Sequence, residues 1–339
     1  MSRIALEKLK PEEVPWDVLD GFGDHTVYQT KPWLDFVVET QGAEPVIAAV
    51  REGAETIGYF TGLTVTKMGL RVLGSPFKGW TTAYQGFNLP PGMPRGELLD
   101  ELPSFAFDEL GCHYLELVDR YLTDDDVKGR SYGVQHFRGY EIDLTKSEDE
   151  LFAAMKGACR RCVRKARKSG VEIEEARDEG FADEYYEQLL DVFAKQSLVP
   201  TYDVERIRSL IRHLMPTGNL LLLRARDPEG RCIATGIYPG YNDAMYFFGG
   251  ASWRAHQILR PNEAVMWRAM LTWKERGIRT FDMGGSGDYK AKYGGYEISV
   301  PRLMKAKYPG LIRLRELALG AWRLRQKLSG GLRGGRPGG

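Results

Sequence analysis

The chain has 339 residues, 43% of them hydrophobic and 27% charged, which describes a folded protein of about two domains and excludes a disordered one. Its formal net charge is only +1, yet residues 301–339 hold ten Lys or Arg against one acid, Glu316, so the first 300 residues carry 37 basic and 45 acidic groups: an acidic body with a basic tail. Four cysteines, no apolar leader run and no stretch of 18 apolar residues give no support to a disulfide scaffold, secretion by a signal peptide or a membrane span, and we expect a cytoplasmic protein.

In chain order, Pro45 to Val50 and Thr56 to Val65 read as a hairpin, because Val, Ile, Thr and Tyr dominate both runs and Glu52-Gly53 supplies the turn. A short strand near Leu70 to Leu73 follows. Beyond a Gly/Pro-rich loop from Gly74 to Gly96, an amphipathic helix runs to about Leu110, stops at Gly111 and feeds the strand His113 to Val118. A strand from Gln135 to Leu144 is expected to close this half.

The second half repeats the order. Helices at about Ala182 to Gln196 and Val204 to Leu214 lead into strands at Asn219 to Ala225, Cys232 to Pro239 and Ala244 to Gly250, separated by Asp227-Pro228-Glu229-Gly230 and Tyr241-Asn242-Asp243. A helix from Asn262 to Arg276 ends at Gly277 and feeds the strand Arg279 to Met283, and a last strand lies near Glu297 to Lys305. Phe107-Asp-Glu-Leu-Gly111 before His113-Tyr-Leu-Glu-Leu117 mirrors Trp273-Lys-Glu-Arg-Gly277 before Arg279-Thr-Phe-Asp-Met283, which predicts a duplicated meander, helix and strand.

Three segments carry a resemblance: Trp253-Arg-Ala-His-Gln-Ile-Leu-Arg-Pro-Asn-Glu-Ala-Val-Met-Trp267, Gly277-Ile-Arg-Thr-Phe-Asp-Met-Gly-Gly285 and Tyr289-Lys-Ala-Lys-Tyr-Gly-Gly295. With the basic helix Lys156 to Lys168 and Tyr28-Gln-Thr-Lys-Pro-Trp33, they span about Tyr28 to Lys305, and the chain resembles the FemAB-like and related GNAT acyltransferases. The resemblance implies an α/β (α+β) fold of two tandem GNAT-like domains with mixed sheets flanked by helices. We expect a first, acceptor-side domain over 1–145, a second, donor-side domain over 146–308, a basic amphipathic helix over 309–328 and a disordered Gly/Arg tail over 329–339. Family members include enzymes that move an amino acid from aminoacyl-tRNA onto peptidoglycan precursors, so the expected co-substrate is aminoacyl-tRNA or acyl-CoA, with no resident cofactor.

Arg260-Pro261-Asn262-Glu263 reads as a helix start whose free amides bind phosphate, with Arg254 and Arg260 adding charge and Asn262 the cap. In GNAT enzymes this helix start meets the donor pyrophosphate, but their Arg/Gln-x-x-Gly-x-Gly/Ala loop is absent here. Gly284 and Gly285, with Gly249 and Gly250 at another strand end, allow a ligand close to the backbone. Lys290 and Lys292 are cations for a donor phosphate or a developing oxyanion, Asp282 is a site-organising carboxylate, and Tyr289 joins Asp282 and Lys290 in the catalytic set. The proton of the attacking amine passes to Asp282, Asp288 or water; the residues leave these open.

From Lys156 to Ser169, seven of fourteen residues are Lys or Arg, giving a helix with one apolar and one cationic face. Either it is a solvated face or it meets the phosphates of tRNA or of a nucleotide- or lipid-linked acceptor, with Arg160 and Arg164 as candidates. By the resemblance, Lys31, Trp33, Tyr84, Gln85 and Phe87 are acceptor-side candidates. Cys159-x-x-Cys162 is a single pair with no nearby His, and no metal is expected. The expected reaction is amide formation on a primary amine of a cell-wall peptide or surface-glycan amino sugar; the rival is a non-catalytic RNA- or membrane-binding protein on the same scaffold. The pattern from Leu311 to Leu328 suits an amphipathic helix that packs on the second domain or docks on an anionic inner-membrane surface.

Overall fold

The computed structural model describes residues 4–67, 69–194, 198–285, 287, 289–308 and 310. The first half runs β1 (Ile4–Lys8), α1 (Trp16–Leu19), α2 (Lys31–Gln41), β2 (Glu44–Glu52), β3 (Glu55–Lys67), β4 (Leu70–Ser75), β5 (Gly86–Asn88), α3 (Gly96–Ser104), β6 (Tyr114–Leu117), α4 (Asp124–Val127) and β7 (Gly133–Asp143). The second runs α5 (Glu148–Ala154), α6 (Gly157–Lys168), β8 (Glu172–Glu175), α7 (Gly180–Ala194), α8 (Val204–Leu214), β9 (Leu220–Arg226), β10 (Cys232–Tyr241), β11 (Ala244–Tyr246), β12 (Gly249–Ser252), α9 (Pro261–Glu275), β13 (Thr280–Gly285) and β14 (Tyr296–Ala306). The basic helix and Gly/Arg tail expected beyond residue 310 lie outside the described residues, as does Asp288.

Local chemistry explains the elements that position the site. Asp203 caps α8 by accepting the Arg206 N–H at 3.3 Å, and Ile207, Leu210, Ile211 and Leu214 then bury one face of the helix. Pro261 opens α9, where a missing N–H costs nothing. Gly111 and Gly277, the repeated helix stops, both have positive φ, 64° and 89°, which a residue with a Cβ adopts only under strain.

The strands form one sheet in the order β1-β2-β3-β4-β6-β14-β7-β13-β11-β10-β9-β8, with β5 on β3 and β12 on β10. Each half contributes an antiparallel run ending in one parallel pair, β4 with β6 and β11 with β13. The duplication read from the sequence is visible in this order. Two details differ from the sequence reading. The strand expected to close the first half, β7, lies against β13 of the second, and β14 lies against β6 of the first. The final strands are thus exchanged, and they pair antiparallel with each other at the centre of the sheet. The run Ala244 to Gly250 is also broken: Phe247 N–H donates to the Asp282 carbonyl at 3.0 Å and Phe248 N–H to the Ile237 carbonyl at 3.1 Å, so the chain leaves β13 at this point and continues as β12 on β10 alone.

One hydrophobic core joins the halves. Trp33, Phe36 and Val37 of α2 pack with Tyr185 of α7, Ile207 and Leu210 of α8 and Tyr246 of β11, all buried. Full burial of each such side chain stabilises by roughly 1.5–3 kcal/mol. Two further cores lie within the second and the first half. Among the described residues no helix is long and apolar enough to cross a membrane.

Candidate active site

Two cavities flank the break between β11 and β12. The first, about 310 Å³, is a slot between β12, the start of α9 and the segment after β13; Thr235, Phe247, Gly250, Ser252, Asn262, Glu263, Tyr289, Lys292 and Tyr293 line it. The second, about 580 Å³, is a cleft between the halves, lined by residues 78–83 and 135–138 on one side and by Tyr246, Phe247, Phe248, Asp282, Gly284 and Gly285 on the other. Phe247 borders both.

Asp282 sits at the bottom of the cleft with no exposed surface. Its Oδ1 accepts the Gly284 N–H at 2.6 Å, and its Oδ2 accepts from Arg120 Nη1 at 3.1 Å. Arg120 follows β6 of the first half, and its Nη2 is 2.6 Å from Glu141 Oε1 on β7. Burial works against the Arg120 charge, but Tyr246, Glu141 and Asp282 outweigh it and hold the guanidinium above its ordinary pKa. Tyr28, Tyr84 and Tyr246 surround the cluster, and burial above all pushes their phenols well up, so they stay protonated. The buried Tyr84 hydroxyl, beside Asp282, has no hydrogen bond of ordinary geometry among the described residues.

Lys290 is buried, and its Nζ donates to the Gly285 carbonyl at 2.6 Å. Burial lowers its pKa, partly opposed by Asp282. The ammonium lies 3.7 Å from where a Cβ would stand on Gly284, whose φ of 72° also favours glycine. The cation thus sits against Gly284 and Gly285, which line the cleft together with Asp282, while Lys290 itself does not line it.

The remaining predicted residues divide into groups. Gly250, Asn262, Tyr289 and Lys292 line the slot; Asn262 Nδ2 donates to Ser252 Oγ at 3.0 Å, and Lys292 pairs with Glu263 at 2.7 Å. Gly249 stands behind it, where a Cβ would come within 2.5 Å of the Tyr185 hydroxyl. Arg254 is tied to Asp191 at 2.7 Å and is not part of the slot wall, while Arg260 lines a small pocket with Arg161 and Lys165 beside the start of α9.

On the acceptor side, Tyr84 reaches the Asp282 cluster. Gln85 is buried and donates to the Tyr28 carbonyl, and Phe87 is buried in β5. Trp33 has no exposed surface; it supports the cleft by donating to Thr82 Oγ1 at 3.0 Å. Lys31 is exposed and paired with Asp35. Arg160 donates to the Ala153 carbonyl and Arg164 covers the Phe152 ring, both on α6 and neither lining the cleft.

Sequence reasoning missed Arg120, Glu141, Phe247 and the cleft residues Lys78, Trp80 and Arg302. Nothing local distinguishes Val118-Asp119-Arg120 from an ordinary strand end; only its distance from Asp282 does.

Residues 153–293 match the family model described as acetyltransferase (GNAT) domain. The second half thus carries a GNAT acetyltransferase domain. No curated protein matches it in sequence. Among solved structures it is similar to FemX, at 15% identity and a TM-score of 0.73 over 91% of this chain and 99% of that one. A tandem GNAT protein from the clavulanic acid biosynthesis pathway aligns at 11% identity and 0.54 over 91% and 99%, and L-PGS from Bacillus licheniformis at 11% and 0.52 over 91% and 95%. The shared fold is the tandem GNAT one expected from the sequence, and GNAT domains use acyl-CoA as co-substrate.

Proposed function

We propose that the protein is an acyltransferase that forms an amide by passing an acyl or aminoacyl group, held in the slot, to a primary amine held in the cleft. The observation that carries this is the meeting of the two cavities at Phe247, with Asp282 on the cleft wall and Lys290 bonded to the Gly285 carbonyl of that wall. Holding donor and acceptor against each other turns a bimolecular attack into a local one. Asp282 takes the proton lost by the amine, and the Lys290 ammonium stabilises the negative charge that develops on the acyl oxygen.

The cleft wall carries Lys78, which has no carboxylate within ion-pair distance among the described residues, and His136, Arg138 and Arg302, each with a carboxylate partner, beside the Trp80 and Phe248 rings. This favours an acceptor with an anionic group, such as a nucleotide- or lipid-linked cell-wall or glycan precursor. The FemX and L-PGS likenesses agree with an acceptor of that kind.

For the donor we favour aminoacyl-tRNA over acyl-CoA. Arg161, Arg164, Lys165, Arg167 and Arg268 have no carboxylate within ion-pair distance among the described residues, whereas Arg224, Arg226 and Arg231 nearby are all paired. The unpaired set borders the Arg260 pocket and a groove of about 640 Å³ that also holds Phe152 and Trp267, which suits phosphates and stacked bases. Titrating charged tRNA and acetyl-CoA separately at about 50 and about 200 mM salt tests the choice: tRNA binding is expected to weaken steeply. Tight, salt-insensitive acetyl-CoA binding without tRNA affinity reverses the order of donors. Failure to release acyl groups from either donor to any amine acceptor overturns the reading.

A further inference from the structure

Sheet register creates a conflict at the heart of the site. Glu141 on β7 and Asp282 on β13 are direct partners across an antiparallel pair, so their carboxyl groups leave the same face of the sheet. Like charges in that arrangement repel, and water offers little relief, since Asp282 is fully buried and the Glu141 side chain is 10% exposed. Arg120 answers both, one Nη to each carboxylate. One guanidinium neutralises one carboxylate, and a buried ion without a full counter-charge is costly.

The other groups facing the cluster do not supply the missing charge. Tyr28, Tyr84 and Tyr246 present neutral hydroxyls toward Asp282, and Tyr296 on β14 donates its hydroxyl to Glu141 Oε2 at 3.1 Å. Lys290, the second cation, donates to the Gly285 carbonyl and to neither carboxylate. Burial first, and Asp282 after it, lift the Glu141 carboxyl above the usual range against the pull of Arg120.

We propose that Glu141 and Arg120 are positioning residues of a shared-proton unit: the facing Glu141 charge favours uptake of the amine proton at Asp282, and Arg120 holds the two carboxylates in register. The proposal rests on Asp282 being the proton acceptor. As the amine nitrogen bonds to the acyl carbon, the carbon's bond to the donor oxygen or sulfur breaks. The nitrogen proton moves to Asp282, leaving one Arg–carboxylate pair and one neutral acid. It then passes to the departing oxygen or sulfur, and the unit returns to its starting charge. Since β7 and Arg120 come from the first half and Asp282 from the second, strand exchange completes the unit.

Glu141→Gln keeps the shape and removes the charge. It is expected to lower kcat by about tenfold and to move the acid limb of kcat/KM against pH down by about one unit, because the charge that repels the Asp282 carboxylate across the strand pair is gone. Glu141→Asp, which keeps the charge, is expected to restore the limb. The limb is read below the melting temperature of each variant and does not depend on the folded fraction. If Glu141→Gln has the wild-type kcat and limb while Asp282→Asn is inactive, the shared unit is wrong and the proton-acceptor assignment stands. If Glu141→Asp behaves as Glu141→Gln does, packing and not charge explains the loss, and the proposal fails. An active Asp282→Asn overturns the assignment of Asp282 and the unit with it.

Discussion

In the second half, β11 and β12 are separated only by Phe247 and Phe248, and the gap between β12 and β13 opens into the slot at the start of α9. In the first half, the corresponding strands β4 and β5 are separated by residues 76–85, and the same gap is filled from within. Gln85 bridges to Asp119, whose Oδ2 accepts the Phe87 N–H at 2.9 Å and Arg95 Nε at 3.0 Å. At the start of α3, Asp126 Oδ1 accepts the N–H groups of Arg95 and Gly96 at 3.2 and 3.0 Å. A side-chain carboxylate there occupies the kind of anion site that α9 leaves open. The carboxylates diverge as well. Glu116, the counterpart of Asp282 in the repeated helix stop and strand, is buried against Arg302 of the exchanged strand, while Asp282 faces the cleft. One copy of the fold keeps an open slot at its helix start, and the other turns its polar groups on itself while its long loop becomes a cleft wall.

The comparison breaks most easily at Asp282 and Lys290. Asp282→Asn and Lys290→Ala are each expected to lower turnover by at least about tenfold, the scale of losing an electrostatic contact to a transition state. Circular dichroism should show both variants folded. Wild-type rates for both at saturating donor would return the second half to the same status as the first.

A carboxylate placed at the open helix start should make the second half behave like the first. Asn262→Asp puts a negative charge beside Glu263 at the slot, and is expected to raise the donor KM severalfold with a smaller change in kcat, since it opposes donor phosphate at the positive end of α9. An unchanged KM for a phosphorylated donor would mean that phosphate does not sit there.

Asp126→Ala tests the opposite case. Removing the carboxylate that satisfies two amides at the start of α3 is expected to cost about 1 kcal/mol of stability, measured by denaturant unfolding, with kcat unchanged. A new donor-binding site in the first half of this variant would show that Asp126 was its only plug.

The smallest effect concerns the contact between the halves at His25, whose backbone carbonyl accepts from Asn242 Nδ2 at 2.9 Å. Burial holds the imidazole pKa below its ordinary value, against opposing pulls from Asn88, Asp20 and Asp24. The unfolded chain therefore binds a proton near pH 6.5 that the folded chain refuses, so this contribution to stability is present above that pH and falls as the pH drops below it. Melting temperatures taken from about pH 7.5 to about pH 5.5 should decline, and His25→Gln should flatten the decline. Equal slopes for both proteins would remove His25 from the account.

The amino-acid sequence determined the elements and their repetition. Periodicity and capping residues in one stretch of chain are enough to place α8 and α9, the glycine stops at Gly111 and Gly277, and the strand and glycine loop that hold Asp282 and Lys290. The strands β1 and β5 went unread because Ile4–Lys8 and Gly86–Asn88 are too short for a period, and α2 went unread although Pro32 in its first turn is the same start signal as Pro261 in α9. Tertiary structure alone decided which strands neighbour each other. Strand exchange sets Glu141 opposite Asp282, and Arg120 meets a carboxylate 162 residues away. Such pairings depend on sheet register and on the burial that makes a charge seek its partner, and neither is a property of any single window of sequence. The same cause hid Trp33, which resembled an acceptor contact in the sequence and in the fold fills the shared core, touching the cleft only through Thr82.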